Sequence, residues 1–336
     1  MKNILITGAS GFIGSSLCSS LSIDNKVIGV DIIKKNAKSA YIAYEQVDLA
    51  DGNFSASIFE KYSPDVVIYC AGIAHQKMGS VDSATYMRVN SEATENFAKV
   101  AGKYNPDVCF IFFSSVSVYG EDNLSIPVSE QSEYHPSSDY AVSKLDAERR
   151  LITLVNEDII NRLIILRLAP VYDRNWSLNL DRRIFSPKKL VYFRFGSGTQ
   201  RMSALARPNI VDFIGFLIER KIATKTDRRT GDSRGKNTGV DILNICDVEP
   251  YKLDNIIEVF KKSGIRPNRP VISVPLIAVW LATRIAGLFF PSSKSWLHSG
   301  YNKLASSLVF DNGKMMGTGF KPIHSLETIF CMKIAE

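Results

Sequence analysis

The chain has 336 residues, 45% of them hydrophobic and 22% charged, a balance that fits one large core or a core with an appended second domain and excludes intrinsic disorder. Its net charge of +7 is compatible with nucleic acid, an anionic membrane or an anionic small substrate. No charged-then-apolar leader precedes the first apolar run, so secretion is not expected; Cys18, Cys70, Cys109, Cys246 and Cys331 are odd in number, lack C-x-x-C spacing and read as reduced core residues of a cytoplasmic protein without a metal site.

At the start, Ile4-Leu5-Ile6 forms a short β-rich run, three glycines follow at 8, 11 and 14, and Phe12, Ile13, Leu17 and Leu21 recur at helical spacing. The pattern predicts strand, tight turn and helix, with the glycines exposing a helix N-terminus that attracts a pyrophosphate. Asp31 closes the next run, KVIGVD, where a carboxylate can bind the ribose hydroxyls of an NAD adenosine half. The plainer alternative is a set of turn glycines and a strand-end aspartate.

Five further runs, at 43–49, 64–72, 106–115, 162–170 and 240–247, alternate with helical patterns. Several are nearly continuous in Val, Ile and Phe, as strands buried on both faces must be. The alternation predicts an α/β fold with a doubly wound parallel sheet, its ligand lying beyond the strand C-terminal ends where Gly8, Asp31, Asp48, Gly72 and Ser115 fall.

Tyr140 and Lys144 lie four residues apart on a strongly helical segment and so share a face. Alone the pair is weak, but Ser115 ends the preceding strand on the same sheet edge, and the three make a proton-transfer unit. A tyrosine with pKa near 10 needs a neighbouring ammonium to lower it by about two to three units, roughly 3–4 kcal/mol, and Lys144 is expected to supply it. Ser115 would hold a substrate oxygen while Tyr140 moves its proton.

After Pro170 the βα rhythm breaks, and 171–208 reads as a substrate-facing excursion. An amphipathic helix resumes at NIVDFIGFLIERK, with Asn209 as its expected N-cap. The basic segment 220–236 lacks aromatic interleaving, which argues against nucleic acid; it reads as a solvated loop, with a membrane or partner contact as the alternative. The apolar stretch 271–290 is divided by Pro275 and interrupted by Arg284; it makes a poor membrane span and is expected to form a half-buried helix, with a peripheral membrane contact as the alternative.

Together G-x-x-G-x-x-G at 8–14, Asp48-Leu49, Cys70-Ala71-Gly72, SSVSVYG at 114–120 and YAVSK at 140–144 resemble the extended short-chain dehydrogenase/reductase family, of the NAD-dependent epimerase/dehydratase type, over nearly the whole chain. The resemblance implies a Rossmann-type domain, 1–168 with about 209–246, and a smaller discontinuous C-terminal substrate domain, about 169–208 with 247–336. It implies Ser115, Tyr140 and Lys144 as catalytic residues, and Gly8, Ser10, Gly11, Phe12, Ile13, Gly14, Asp31, Asp48, Leu49, Cys70, Ala71, Gly72, Asn90, Tyr140, Lys144 and Pro170 around NAD. Lys34 and Lys35 could meet the extra phosphate of NADP. GSGTQR at 196–201 is similar to the G-x-G-x-x-R of nucleotide-sugar members, implying that Arg201 contacts a diphosphate, with His75 and Ser115 lining the sugar pocket.

The resemblance therefore implies a homodimeric enzyme acting at C4 of a nucleoside-diphosphate sugar, a 4-epimerase or 4-keto-6-deoxy-sugar reductase, in surface polysaccharide synthesis. Val116-Ser117 stands where dehydratases of the family carry Asp-Glu, which disfavours dehydration. Two alternatives stay open: a dehydrogenase of an apolar, sterol-like alcohol, and a catalytically silent dinucleotide-binding protein.

Overall fold

Apolar runs rich in β-branched residues become strands because only a ladder satisfies their backbone groups once both faces are covered. In the computed structural model, which describes residues 1–34, 41–51, 56–74, 81–120, 127–220, 239–290 and 294–331, they build a seven-stranded parallel sheet. Lys35, His75 and residues 221–236 of the basic segment lie outside the described residues.

The sheet uses β1 (Asn3–Thr7), β2 (Lys26–Asp31), β3 (Ala43–Gln46), β4 (Val66–Tyr69), β5 (Cys109–Ser115), β6 (Arg162–Leu168) and, after four short strands, β11 (Val240–Ile245). Its spatial order is β3-β2-β1-β4-β5-β6-β11. The order reverses between β1 and β4, a switch point at which ligands of open α/β sheets bind. The run at 43–49 divides: β3 stops at Gln46 and Leu49–Asp51 is a 3₁₀ turn, with Asp48 Oδ1 accepting from Ala50 N at 2.9 Å.

Helices α1 (Gly14–Leu21), α2 (Ser57–Tyr62), α3 (Ser83–Met87), α4 (Ala93–Tyr104) and α5 (Asp139–Asn156) accompany these strands. Ser138 Oγ caps α5 by accepting from Ala141 N at 3.2 Å, which fixes the helix start just before Tyr140. One core face gathers Leu5, Val67, Phe97, Phe110, Leu151 and Ile165, all fully buried.

The chain divides into two compact units, one of Met1–Val118, His135–Arg167 and Val211–Leu243, the other of Tyr119–Tyr134, Leu168–Ile210 and Asn244–Glu336. The second contains β7 (Val171–Tyr172), β8 (Tyr192–Phe195), β9 (Arg201–Met202), β10 (Leu205–Ala206), β12 (Tyr251–Lys252) and β13 (Val271–Val274), paired as β7·β10, β9·β12 and β8·β13. The excursion after Pro170 thus carries regular structure, in strands too short for a periodicity of two to show.

Helix α6 (Leu178–Ile184) follows β7, and α7 (Arg207–Glu219) leaves the second unit for the first. Next come α8 (Leu253–Lys262), α9 (Leu276–Phe289), α10 (Lys294–Ala305), α11 (Gly313–Gly317) and α12 (Leu326–Phe330). Leu253, Ile256, Ile257 and Phe260 form the inner stripe of α8 and pack with Tyr172, Ile184, Tyr192 and Phe330.

Three expectations change here. Asn209 is no N-cap: α7 already begins at Arg207, and the buried Asn209 side chain instead donates to Asp247 Oδ1 and His324 O. The stretch 271–290 is not one half-buried helix, because its first four residues pair with β8 and α9 buries none of its side chains. Cys331 is exposed, unlike Cys18, Cys109 and Cys246.

Candidate active site

The glycine turn leads from β1 into α1. Gly8 takes φ +64°, and its carbonyl oxygen accepts from Gly11 N at 2.9 Å. A Cβ on Gly14 would lie 2.1 Å from that carbonyl oxygen, so a side chain there would force the turn apart. Glycine is required by this approach. The following helix starts at Gly14 with no side chain capping it, so its dipole is left to an external anion. Ser10, Phe12 and Ile13 flank the turn half-buried.

Asp31 ends β2 beside the turn. Its Oδ2 accepts from Ser10 N at 2.8 Å and its Oδ1 from Ile33 N at 3.1 Å. Ser10 Oγ also meets Tyr44 Oη at 3.1 Å, which brings a β3 side chain to the same corner. On the other side of β1, buried Thr7 Oγ1 accepts from Cys70 N at 3.2 Å and Ala71 N at 3.1 Å, fixing the exit of β4. A bare turn, an uncapped helix and a strand-end carboxylate fit the pyrophosphate and ribose of a dinucleotide. Lys34 follows on this edge, and Leu49 is buried below it.

Ser115 ends β5, its side chain close enough to Tyr140 on the first turn of α5 to favour the ionised phenol. Ser117 holds the same oxygen from the other side: its N–H and its Oγ donate to Ser115 Oγ at 3.1 and 2.9 Å. Lys144, one turn beyond Tyr140, is buried; its Nζ donates to Phe113 O at 2.9 Å and lies 4.8 Å from the centre of the Phe112 ring. Asn90 is fully buried in a π-helical turn, Arg88–Glu92, between α3 and α4. It accepts from Ile73 N at 2.7 Å, donates to Ile73 O at 3.1 Å and to Ser143 Oγ at 3.1 Å, tying the loop after β4 to α5. Gly72 lies in this corner, where a Cβ would come 2.8 Å from Asn90 Oδ1 and 3.5 Å from Lys144 Nζ.

Burial governs the charges. It pushes the Lys144 amine down to about 8, opposed by Cys70 and Glu148. Burial also pushes the Tyr140 phenol up, opposed by the Ser115 side chain. This corrects the expectation that Lys144 lowers Tyr140: the ammonium is spent on the Phe113 carbonyl and loses its own proton more readily. Tyr140 is thus held as a phenol beside Ser115, able to give up a proton and, once ionised, to take one back.

Behind Lys144 lies a buried ion pair that the sequence motifs do not announce. Glu148, four residues on along α5, accepts from Arg167 Nε at 3.0 Å, Arg167 Nη2 at 2.6 Å and Ser114 Oγ at 2.5 Å. The only sequence signal is spacing, a second charged residue on the face already assigned to Lys144.

Arg201 belongs to the second unit, exposed at the start of β9, where its backbone bonds Ser307 Oγ and Leu308 N. Gly196 and Gly198 before it take φ +59° and +70°. A Cβ on Gly198 would lie 2.4 Å from Asp254 Oδ1, a carboxylate already paired with Arg194 at 2.6 Å, so this glycine serves the packing of the loop on α8. Pro170, also of this unit, links β6 to β7 and accepts from Leu205 N at 3.0 Å.

The model of the NAD-dependent epimerase/dehydratase family matches residues 4–230. Among curated relatives, the dTDP-glucose 4,6-dehydratase of Haemophilus influenzae is 35% identical over 164 residues, 43% of this chain and 48% of its own length, so the chain matches about half of that protein. The UDP-glucose 4-epimerase of Vibrio cholerae is 26% identical over 337 residues, 98% of this chain and 93% of its own. A solved UDP-glucuronic acid 4-epimerase from Bacillus cereus, in complex with NAD, aligns with TM-score 0.67 at 20% identity over 97% of this chain and 95% of that one. A UDP-glucose 4-epimerase of Thermotoga maritima, solved with UDP-glucose, aligns with TM-score 0.68 at 20% identity over 98% and 96%. At these identities the structural likeness establishes the fold.

Proposed function

The chain belongs to the NAD-dependent epimerase/dehydratase family, and on that premise we propose that it is a nucleoside-diphosphate-sugar 4-epimerase, its product feeding surface polysaccharide synthesis. The observation that carries this reading is Ser115 at the end of β5, held by Ser117, beside Tyr140 of α5, with buried Lys144 one helical turn away on the Phe113 carbonyl. Bound NAD supplies a two-electron acceptor that can return what it takes. Ser115 Oγ, oriented by Ser117, would hold the C4 hydroxyl, and Tyr140, ionised to the phenolate before the step, would take its proton to become the phenol and later give that proton back. Asn90 and Ser143 keep α5 at a fixed distance from the loop after β4, so the proton path keeps its length. Lys144 would supply positive charge beside the ribose and nicotinamide.

Elimination of water needs an acid and a base beside the catalytic hydroxyl, and Val116-Ser117 provides neither carboxylate. In sequence, the likeness to a 4-epimerase runs over 98% of the chain while that to the Haemophilus influenzae dehydratase covers 43%, which supports epimerisation.

The test is to incubate the purified chain with UDP-glucose and UDP-N-acetylglucosamine and follow the anomeric proton signals, together with the cofactor released on denaturation. C4 epimers and retained NAD are expected. An empty site that turns over a 4-keto sugar only with added NAD(P)H would replace the epimerase by a reductase. If calorimetry finds no nucleoside diphosphate binding at millimolar concentration while a hydrophobic alcohol supports NAD reduction, the sugar-nucleotide reading fails. Within that reading Arg201→Ala raises KM for the nucleotide sugar about 10 to 100-fold, about 1.4–3 kcal/mol for a charge-assisted contact, and leaves NAD affinity nearly unchanged.

A further inference from the structure

Helix α9 presents apolar side chains to solvent along most of its length. Ile277, Leu281, Ile285 and Leu288 recur at spacings of four, four and three, which places them on one face, and they are 64%, 47%, 54% and 80% exposed. Phe289 and Phe290 extend the patch at the helix end, 75% and 63% exposed. The opposite face, Leu276, Val279, Thr283, Ala286 and Gly287, is the partly covered one. The apolar stripe of α8, by contrast, is buried. A contiguous stripe of this kind marks a surface that meets another apolar phase.

Charge identifies that phase. From Val259 to Phe310 the sequence contains no Asp or Glu and seven Lys or Arg. Among these, Arg269 is exposed before β13, and Arg284 is exposed on α9 itself, its guanidinium 5.2 Å from the Trp280 ring. A second copy of the chain would bring one acid-free, cationic segment against another. An anionic bilayer offers negative headgroups around an apolar interior and suits both properties at once. Length separates binding from spanning: the 14 residues of α9 extend about 21 Å, short of the roughly 30 Å hydrocarbon core. Among the described residues no helix is long and apolar enough to cross a membrane.

We propose that α9 is a peripheral membrane-docking element that lies in the headgroup region of an anionic leaflet, with Ile277, Leu281, Ile285, Leu288 and Phe289 entering the acyl boundary. Trp280 and Arg284 sit at the headgroup level, the arginine keeping its charge in the wet layer while its stem follows the apolar face. The inference rests on α9 and its charge environment alone and holds whatever sugar the enzyme turns over.

The test is flotation of the full chain with vesicles of phosphatidylcholine alone and of phosphatidylcholine with about 30% phosphatidylglycerol, at about 0.1 M salt. The wild type is expected to float with the anionic vesicles and at least tenfold less with the neutral ones. The triple variant Leu281→Ser, Ile285→Ser, Leu288→Ser, whose changed side chains are all exposed, should keep the wild-type melting temperature and lose at least tenfold in partition. Arg284→Gln should reduce partition in the anionic case only. Wild type left at the bottom of the gradient with anionic vesicles overturns the proposal, as does a triple variant that floats equally well. Light scattering that shows a larger wild-type assembly, dissolved by the triple variant, without vesicle binding, assigns the stripe to a second copy instead and equally overturns it.

Discussion

Each unit buries a charged group, and the two are satisfied to different degrees. In the second unit Asp247 Oδ1 accepts from Ala206 N at 2.9 Å and Asn209 Nδ2 at 2.7 Å, while its Oδ2 accepts from Tyr172 Oη at 2.7 Å and Tyr251 Oη at 2.8 Å. Burial pushes this carboxyl up and all four donors hold it down. In the first unit Lys144 has the Phe113 carbonyl and an aromatic face, and burial takes its amine down to about 8. A group whose bonding capacity is filled by its own chain joins strands and helices and has little left for a ligand. A group left short on a helix beside the end of a parallel strand keeps its remaining capacity for something that arrives.

If that contrast is correct, the largest effect belongs to the open cluster and appears in turnover. Tyr140→Phe removes one hydroxyl from a half-buried ring and should lower kcat by about 10³-fold or more, about 4 kcal/mol, with NAD affinity changed less than tenfold. Near-normal kcat would remove Tyr140 from the proton path.

The closed cluster should answer in stability instead. Asp247→Ala strands four donors in the interior of the second unit and should cost about 3–5 kcal/mol by urea denaturation, without changing the pH profile of turnover. A loss under about 1 kcal/mol would mean that water replaces the carboxylate and that the cluster is less closed than its distances suggest.

Titration separates the clusters a third way. The Lys144 amine falls from its ordinary 10.5 to about 8 in the fold. Below pH 8 folded and unfolded chains are both protonated there, and the fold carries the whole cost of a buried charge. Between 8 and 10.5 the folded chain has lost the proton and the unfolded chain has not, so this residue makes stability rise with pH. From pH 7 to pH 9.5 the wild type should gain about 2 kcal/mol relative to Lys144→Met. Parallel stability curves for the two proteins would show that the amine is not desolvated as the structure indicates.

The parts of both clusters legible in the sequence are those in which chemistry restricts residue type over a short span. Gly14 is readable because a Cβ would strike the turn six residues back, and Tyr140 with Lys144 because one helical turn separates them. Thr7, Glu148 with Arg167, and Asp247 with Tyr172 are not, since their partners meet only through sheet pairing and tertiary packing. Asn209 shows the cost: a plausible capping residue by position, it is a buried donor to Asp247 by fold. Helix α9 reads as a half-buried helix for a related reason, because apolar composition is the same whether or not another element covers it.

Asp31 stands between the two cases and gives the smallest and most discriminating test. Its carboxylate braces Ser10 and Ile33, as Asp247 braces its neighbours, but it is only half-buried and has lone pairs to spare. Asp31→Ala removes both functions and should weaken NAD about tenfold, about 1.4 kcal/mol, while easing entry of NADP by removing a charge that repels the 2′-phosphate. Asp31→Asn keeps an oxygen that can accept from Ser10 N and loses the charge. Should NAD titration find the asparagine variant as weak as the alanine one, the carboxylate acts on the ribose diol. If asparagine restores wild-type affinity, Asp31 is a brace of the glycine turn, and cofactor choice passes to Lys34 and its neighbours. A wild type that already prefers NADP strongly would lead to the same conclusion without a mutation.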